Sequence, residues 1–155
     1  MRAFRIARSL YVNDLSGFGA YQFGGRWNSK GTRIVYFADS PALALLEILV
    51  HIPNFDVATS YALLTIDIPD SISILHPPEL PVDWRNTPGP IELQRIGDQF
   101  IKDANGLVLR VPSCIIPMSS SFLVNPLHPD FAAITIIGAE PFVMEKRLFG
   151  VRTGG

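Results

Sequence analysis

The 155-residue sequence holds one cysteine, Cys114. No intramolecular disulfide can form, which fits a reducing compartment. Charge is also sparse: 17% of residues are charged, the net charge is −1, and Lys and Arg form no run. That excludes an extended nucleic-acid footprint but leaves room for an anion site the size of a nucleotide. The three histidines, His51, His76 and His128, lack any short metal-ligand spacing and have no cysteine pair beside them, so no metal site is expected. No apolar run approaches membrane-spanning length. The N-terminal MRAFRIARSL is too short and too charged for a signal peptide. A soluble, cytoplasmic protein is the expectation. The glycines match neither the GxGxxG nor the Walker pattern, and no repeat or low-complexity segment is evident.

What is present is a large apolar fraction, 48%, enough for one sizeable core and incompatible with disorder. The expectation is a single domain spanning residues 1–155.

The pattern along the chain predicts an α+β fold with several strands and two clear helices. Ala3 to Ala7 alternates weakly and reads as a first strand. Asn13 to Gly25, rich in Gly, Asn, Asp and Ser, reads as a long loop of the kind that often carries function. Arg33 to Ala38 is a β-rich run. Ser40-Pro41 supplies an N-cap and a first-turn proline, opening a helix to about His51 that is apolar nearly all round and is therefore expected to be buried. Tyr61 to Ile68 and Ile72 to Leu75 read as strands. The proline-rich stretch from His76 to Pro90 reads as an irregular connection anchored by Trp84. Ile91 to Asp103 has helical spacing and is ended by Asn105-Gly106. Leu107 to Val111 is a strand, Pro112 to Pro117 a short strand with Ser113 at its entrance, Ser119 to Asp130 a turn-rich loop, Ile134 to Ile137 a final strand, and Pro141 to Leu148 an edge strand.

Two features stand out for chemistry. Glu47 lies inside ALALLEILVHI, and a carboxylate on so apolar a helix requires a partner. His51, one turn later, is a candidate partner or simply a helix-end histidine. Arg26 lies in GGRWNSKG, bracketed by Gly24, Gly25 and Gly31, which lets the backbone turn sharply or approach a ligand; an ordinary hairpin with a surface arginine has the same signature. Cys114 with His128 would make a thiol nucleophile and base, but Ile115 and Ile116 flank the cysteine, which favours an inert thiol.

GGRWNSKGTRIVYFADSPALALLEILVH, followed in order by VLRVPSCIIP, SFLVNPLHPDF and KRLF, resembles the RES domain family, named for an arginine, a glutamate and a serine. Here these are Arg26, Glu47 and Ser113. The match runs from Phe4-Arg5-Ile6 to Leu148-Phe149. It departs at Ser121-Phe122, where the family often has Asn-Tyr.

The resemblance implies a fold like that of the ADP-ribosyltransferase toxins and the role of toxin in a bacterial toxin–antitoxin pair. The implied partner is an Xre-like helix-turn-helix antitoxin. NAD+ is the implied substrate rather than a cofactor, with water or phosphate as acceptor. A mono-ADP-ribosyltransferase acting on a cellular protein and a non-catalytic nucleotide-binding module are the alternatives; an RNA-cleaving toxin is disfavoured because neither a basic surface signature nor a suitable histidine pair is present. Arg26, Tyr36 and Glu47 would meet in one cleft. Glu47 would stabilise the cationic ribose, Arg26 would hold the diphosphate, Tyr36 would stack on nicotinamide, and Ser113 would hydrogen-bond the carboxamide, ribose or phosphate. Trp27 and Asn125 join the implied substrate-binding set. The antitoxin is expected over the loops Asn13 to Gly25 and Ser119 to Asp130. A homodimer is also expected, with no membrane or direct nucleic-acid partner.

Overall fold

A computed structural model describes residues 1–150 except 55 and 57. In chain order it has β1 (Arg2–Arg8), α1 (Phe18–Phe23), β2 (Val35–Ala38), α2 (Pro41–Leu49), β3 (Tyr61–Asp67), β4 (Ile74–Leu75), α3 (Ile91–Asp103), β5 (Val108–Pro112), β6 (Ser120–Val124), a 3₁₀ turn at Pro129–Ala133, β7 (Thr135–Phe142) and a second 3₁₀ turn at Lys146–Phe149. The strands form one seven-stranded sheet in the order β4-β5-β6-β2-β1-β3-β7. Among the described strands only β4 and β5 run parallel; every other pair is antiparallel. The α+β reading holds. None of the described helices is long and apolar enough to cross a membrane.

Strand alternation decides which side chains meet. Partners directly opposite in antiparallel strands share a face. Tyr36 lies opposite Leu123, Leu123 opposite Leu109, and Phe4 opposite Ala38. These residues therefore point to one side, and both long helices pack there. α2 brings Leu43 and Ala44 onto Ile6, Ala38 and Tyr61. α3 brings Leu93 and Phe100 onto Leu109, Val111 and Leu123. Tyr36, on the central strand, sits at the edge of the α3 cluster. The other face carries Val35, Phe37, Leu64, Ile66, Val108 and Val124, covered by Val12, Leu15, Phe131 and Ile134.

α2 starts as its sequence predicts: Ser40 Oγ accepts from the Leu43 amide and Pro41 opens the first turn. It ends at Leu49 and is less buried than expected. Only Leu43 and Ala44 are fully covered, and the remaining apolar residues of its second half are partly open.

Five other expectations need correction. The loop from Asn13 to Gly25 contains α1, framed by Gly17 (φ 70°) and Gly24 (φ 72°), both at positive φ. The glycines that suggested a loop are the ends of a short helix. β6 occupies Ser120–Val124, the first half of the stretch read as a turn-rich loop. Its serines are accommodated because the Ser120 amide donates to Asp39 and its hydroxyl accepts from Arg110, and pairing on both sides overrides weak intrinsic propensity. Of the predicted strand Pro112 to Pro117, Pro112 ends β5 and Ser113 to Pro117 is a turn beyond it. α3 is closed by Ala104 in a left-handed conformation (φ 50°), one residue before Asn105-Gly106. The last two predicted strands are one, β7, and residues beyond it form the second 3₁₀ turn.

Candidate active site

The Arg26 turn is built by hydrogen bonds, not by glycine alone. After Gly24, the Gly25 amide donates to the Asn28 carbonyl at 2.9 Å, making a tight turn with Arg26 and Trp27 at its tip. Asn28 is wholly buried. Its Nδ2 donates to the carbonyls of Ala20, Ser29 and Thr32, and its Oδ1 accepts from the Tyr36 hydroxyl at 2.6 Å. The same tyrosine oxygen accepts from the Trp27 amide at 3.3 Å. α3 clamps the turn from outside. Gln94 donates to the Gly25 carbonyl, and Asp98 accepts from both the amide and the hydroxyl of Ser29. At Gly97 the backbones touch so closely that an added Cβ would lie 1.7 Å from the Trp27 carbonyl oxygen.

The Arg26 side chain reaches the irregular connection between β4 and α3. Its Nη1 donates to the carbonyls of Trp84 (3.1 Å) and Asn86 (3.0 Å), and its Nη2 to Thr87 Oγ1 (3.3 Å). Nε has no hydrogen-bond partner, and no carboxylate pairs with this guanidinium, among the described residues. The cation is oriented by neutral acceptors and its charge is uncompensated locally.

Glu47 and Ser113 are brought together. Ser113 Oγ donates to Glu47 Oε1 at 2.8 Å. Ser113 is 2% exposed, and its oxygen accepts from the amides of Ile115 (3.1 Å) and Ile116 (3.3 Å). Two backbone donors therefore fix the hydroxyl so that its single proton points at the carboxylate. Following β5 by alternation, Ser113 continues the side of the sheet occupied by Leu109 and Val111, the side on which both helices sit. Glu47 is half-buried, and its Oε2 makes no hydrogen bond among the described residues. The partner that an apolar helix demanded for this carboxylate is Ser113, 66 residues away in sequence. His51 is exposed and makes no bond to Glu47.

Of the predicted set, the structure joins Glu47 to Ser113, and Tyr36 to the turn carrying Arg26. No direct bond links one pair to the other. Trp27 is 3% exposed and packs in the α3 cluster with Ile34, Leu93 and Leu123. Asn125 is buried, and its Oδ1 accepts from the Leu127 amide, closing the turn after β6. Asn28, Gln94 and Asp98 went unnoticed in the sequence. Only an asparagine inside a glycine-rich segment gave any signal for the first. His128 Nδ1 accepts from the Asp130 amide and caps the first 3₁₀ turn. Among the described residues no group of three or more His, Cys, Asp or Glu side chains is arranged to hold a metal ion. Two open cavities of about 470 and 500 Å³ lie between α3 and residues 75–81. None of Arg26, Tyr36, Glu47 and Ser113 lines them. Their lining carries polar groups, among them His76, Arg95, Gln99, Asp103 and Asn105, but none of the residues joined by the bonds above, and that bonded constellation is the candidate site.

Burial pushes the Tyr36 phenol well above its ordinary pKa, against the opposing effect of the Trp27 amide. The hydroxyl therefore keeps its proton across the working pH range and donates it to Asn28. Tyr36→Phe would leave Asn28 Oδ1 without a donor and the Trp27 amide without an acceptor. A buried polar group stripped of its partner costs about 1–3 kcal/mol. Denaturant unfolding should show a loss of that size, and an unchanged midpoint would mean that the two groups find other partners.

The RES domain family model matches residues 2–145. The chain is 36% identical over 151 residues to Toxin Res of Yersinia enterocolitica, covering 96% of this chain and 99% of that one. It is 42% identical over 139 residues to Toxin Res of Pseudomonas putida, covering 88% and 93%. It is 36% identical over 146 residues to the Prs ADP-ribosylating toxin of a Sphingobium species, covering 92% and 91%. A chain of the crystal structure of the M. tuberculosis MbcT-MbcA toxin-antitoxin complex superposes with a TM-score of 0.74 at 20% identity, covering 96% of this chain and 86% of that one. At that identity the likeness concerns the fold. The family model spans nearly the whole chain, and relatives at 36–42% identity cover most of it: this chain belongs to the RES domain family.

Proposed function

We propose that this RES chain is the toxin of a toxin–antitoxin pair and that it cleaves NAD+ at the nicotinamide–ribose bond. The observation carrying the chemistry is the Glu47–Ser113 pair: a half-buried carboxylate with one oxygen held by a fixed hydroxyl at 2.8 Å and the other unbonded among the described residues. Breaking the glycosidic bond builds positive charge on the ribose. A preorganised carboxylate beside that ribose stabilises the charge and accepts hydrogen bonds from its hydroxyls. Nicotinamide leaves as a neutral molecule from a cationic ring, so no strong general acid is needed. Water or phosphate attacks the ribose carbon and gives up a proton, leaving ADP-ribose or its phosphate. Arg26, oriented but not neutralised, suits the diphosphate.

A second reading keeps the bond cleavage and changes the acceptor to a protein side chain. The Sphingobium relative is named an ADP-ribosylating toxin, which favours it. Purified protein incubated with NAD+ alone should release nicotinamide. Release only after lysate is added would support protein transfer instead. Release under neither condition would contradict both readings and leave a binding module.

The antitoxin proposal draws on the toxin names of the relatives and on the toxin–antitoxin complex that shares the fold. Its expected place is the segment around α1, where Leu10, Tyr11, Phe18, Tyr21 and Phe23 are exposed, an unusual density of large apolar groups for a solvent-facing surface. An Xre-like helix-turn-helix partner, a cytoplasmic location and a homodimer of the chain complete the proposal. The antitoxin should inhibit NAD+ consumption by covering the approach to Arg26.

A further inference from the structure

Between His76 and Pro90 the chain makes an irregular strap, with turns closed by Trp84 N to Pro81 O and Asn86 N to Asp83 O. The strap joins the two halves of the candidate site. At one end, Arg26 holds the carbonyls of Trp84 and Asn86, the residues on either side of Arg85. At the other, Arg85 Nε and Nη2 both donate to the Cys114 carbonyl, each at 3.3 Å. Cys114 follows Ser113, the partner of Glu47. Trp84 anchors the strap from inside, packed against the α3 cluster, while Arg85 is exposed.

The geometry points to Arg85 as a second cation of the substrate site, acting with Arg26 on the pyrophosphate of a dinucleotide. This rests on the NAD+ reading given above. Three observations carry it. First, Arg85 uses its Nε–Nη2 edge, the edge that matches two phosphate oxygens, on a single neutral carbonyl at long distance. Two charge-assisted bonds to a phosphate would replace two weak, shared ones. Second, no carboxylate lies within ion-pair distance of either Arg26 or Arg85 among the described residues. Two guanidinium groups tied to residues 84–87 of one strap, with only neutral acceptors, form a local positive field suited to a ligand carrying two negative charges. Third, the strap places Arg85 between the Arg26 turn and the residue after Ser113. That is where the pyrophosphate must lie if the ribose is held at Glu47. Binding would transfer Arg85 from Cys114 to the phosphate and draw the strap over the ligand.

The test compares ADP-ribose, which carries the pyrophosphate, with adenosine, which does not, by calorimetry on wild type and on Arg85→Gln. The variant should bind ADP-ribose about tenfold more weakly or worse, with adenosine binding and thermal midpoint unchanged. Arg85→Lys should recover part of the loss, because it restores charge without the fork. Equal ADP-ribose affinity in wild type and Arg85→Gln overturns the proposal and leaves the NAD+ reading intact. An equal loss for adenosine also overturns it, since the defect would then be in the fold. Wild type that binds neither ADP-ribose nor NAD+ overturns both the proposal and the reading on which it rests.

Discussion

Glu47→Gln should retain the fold and bind NAD+, and its turnover should fall on the order of a hundredfold or more, as when other preorganised electrostatic groups are removed from active sites. The physical basis is local. The glutamine carbonyl oxygen still accepts from Ser113 Oγ, so the contact that places the side chain survives. What disappears is the negative charge facing the developing ribosyl cation. The loss should fall on kcat, because the stabilised charge exists only in the transition state. Single-turnover release of nicotinamide, with binding measured in parallel, separates the two. Near-normal turnover would contradict the catalytic assignment. A variant that unfolds would show instead that the carboxylate holds α2 to the turn after β5. Ser113→Ala makes a useful companion: it removes the fixed proton at Glu47 Oε1 and the acceptor for two amides, so it should lose both stability and turnover.

The largest stability effect is expected at Gly97. An alanine Cβ there would lie 1.7 Å from the Trp27 oxygen and 2.8 Å from its carbonyl carbon. Both sides of this contact are backbone, one from α3 and one from the Arg26 turn, so no rotamer change relieves it. Either α3 moves off the sheet or the turn moves outward with Arg26. Overpacking in a close-packed interior costs about 1–3 kcal/mol and occasionally more, and a backbone-on-backbone overlap belongs at the upper end. At about 2–4 °C per kcal/mol for a chain of this size, Gly97→Ala should melt roughly 6–12 °C lower. Since Gln94 and Asp98 clamp the same turn, the variant should also bind NAD+ more weakly. An unchanged melting temperature would mean that α3 and the turn are not in the described contact.

Local signals in the sequence were reliable where they had local causes. The Ser40 cap and Pro41 fix the start of α2 within a few residues, and both do so in the structure. Ile91 to Asp103 is periodic, and α3 has those bounds. β6 was hidden because Ser120 and Ser121 have weak strand preference on their own. They become a strand by pairing with β2 on one side and β5 on the other, which no window of sequence contains. The same holds for the site. An apolar helix announced that Glu47 needed a partner, but the identity of that partner depends on the turn after β5 being folded against α2. The buried asparagine Asn28 and the clamp from Gln94, Gly97 and Asp98 are tertiary facts with almost no local signature. The family resemblance supplied Arg26, Glu47 and Ser113. It did not supply what Arg26 touches, and the strap it holds was legible only as a proline-rich connection.

The central claim is that one dinucleotide spans the two halves of this site, with its ribose at Glu47 and Ser113 and its pyrophosphate at Arg26. The most direct measurement is a crystal structure of Glu47→Gln, slowed enough to trap substrate, soaked with NAD+. The account predicts the nicotinamide ribose within hydrogen-bond distance of residue 47 and the pyrophosphate on the Arg26 side, under the strap. Dinucleotide bound instead in the open hollow between α3 and residues 75–81, with Arg26 and Ser113 untouched, would contradict it.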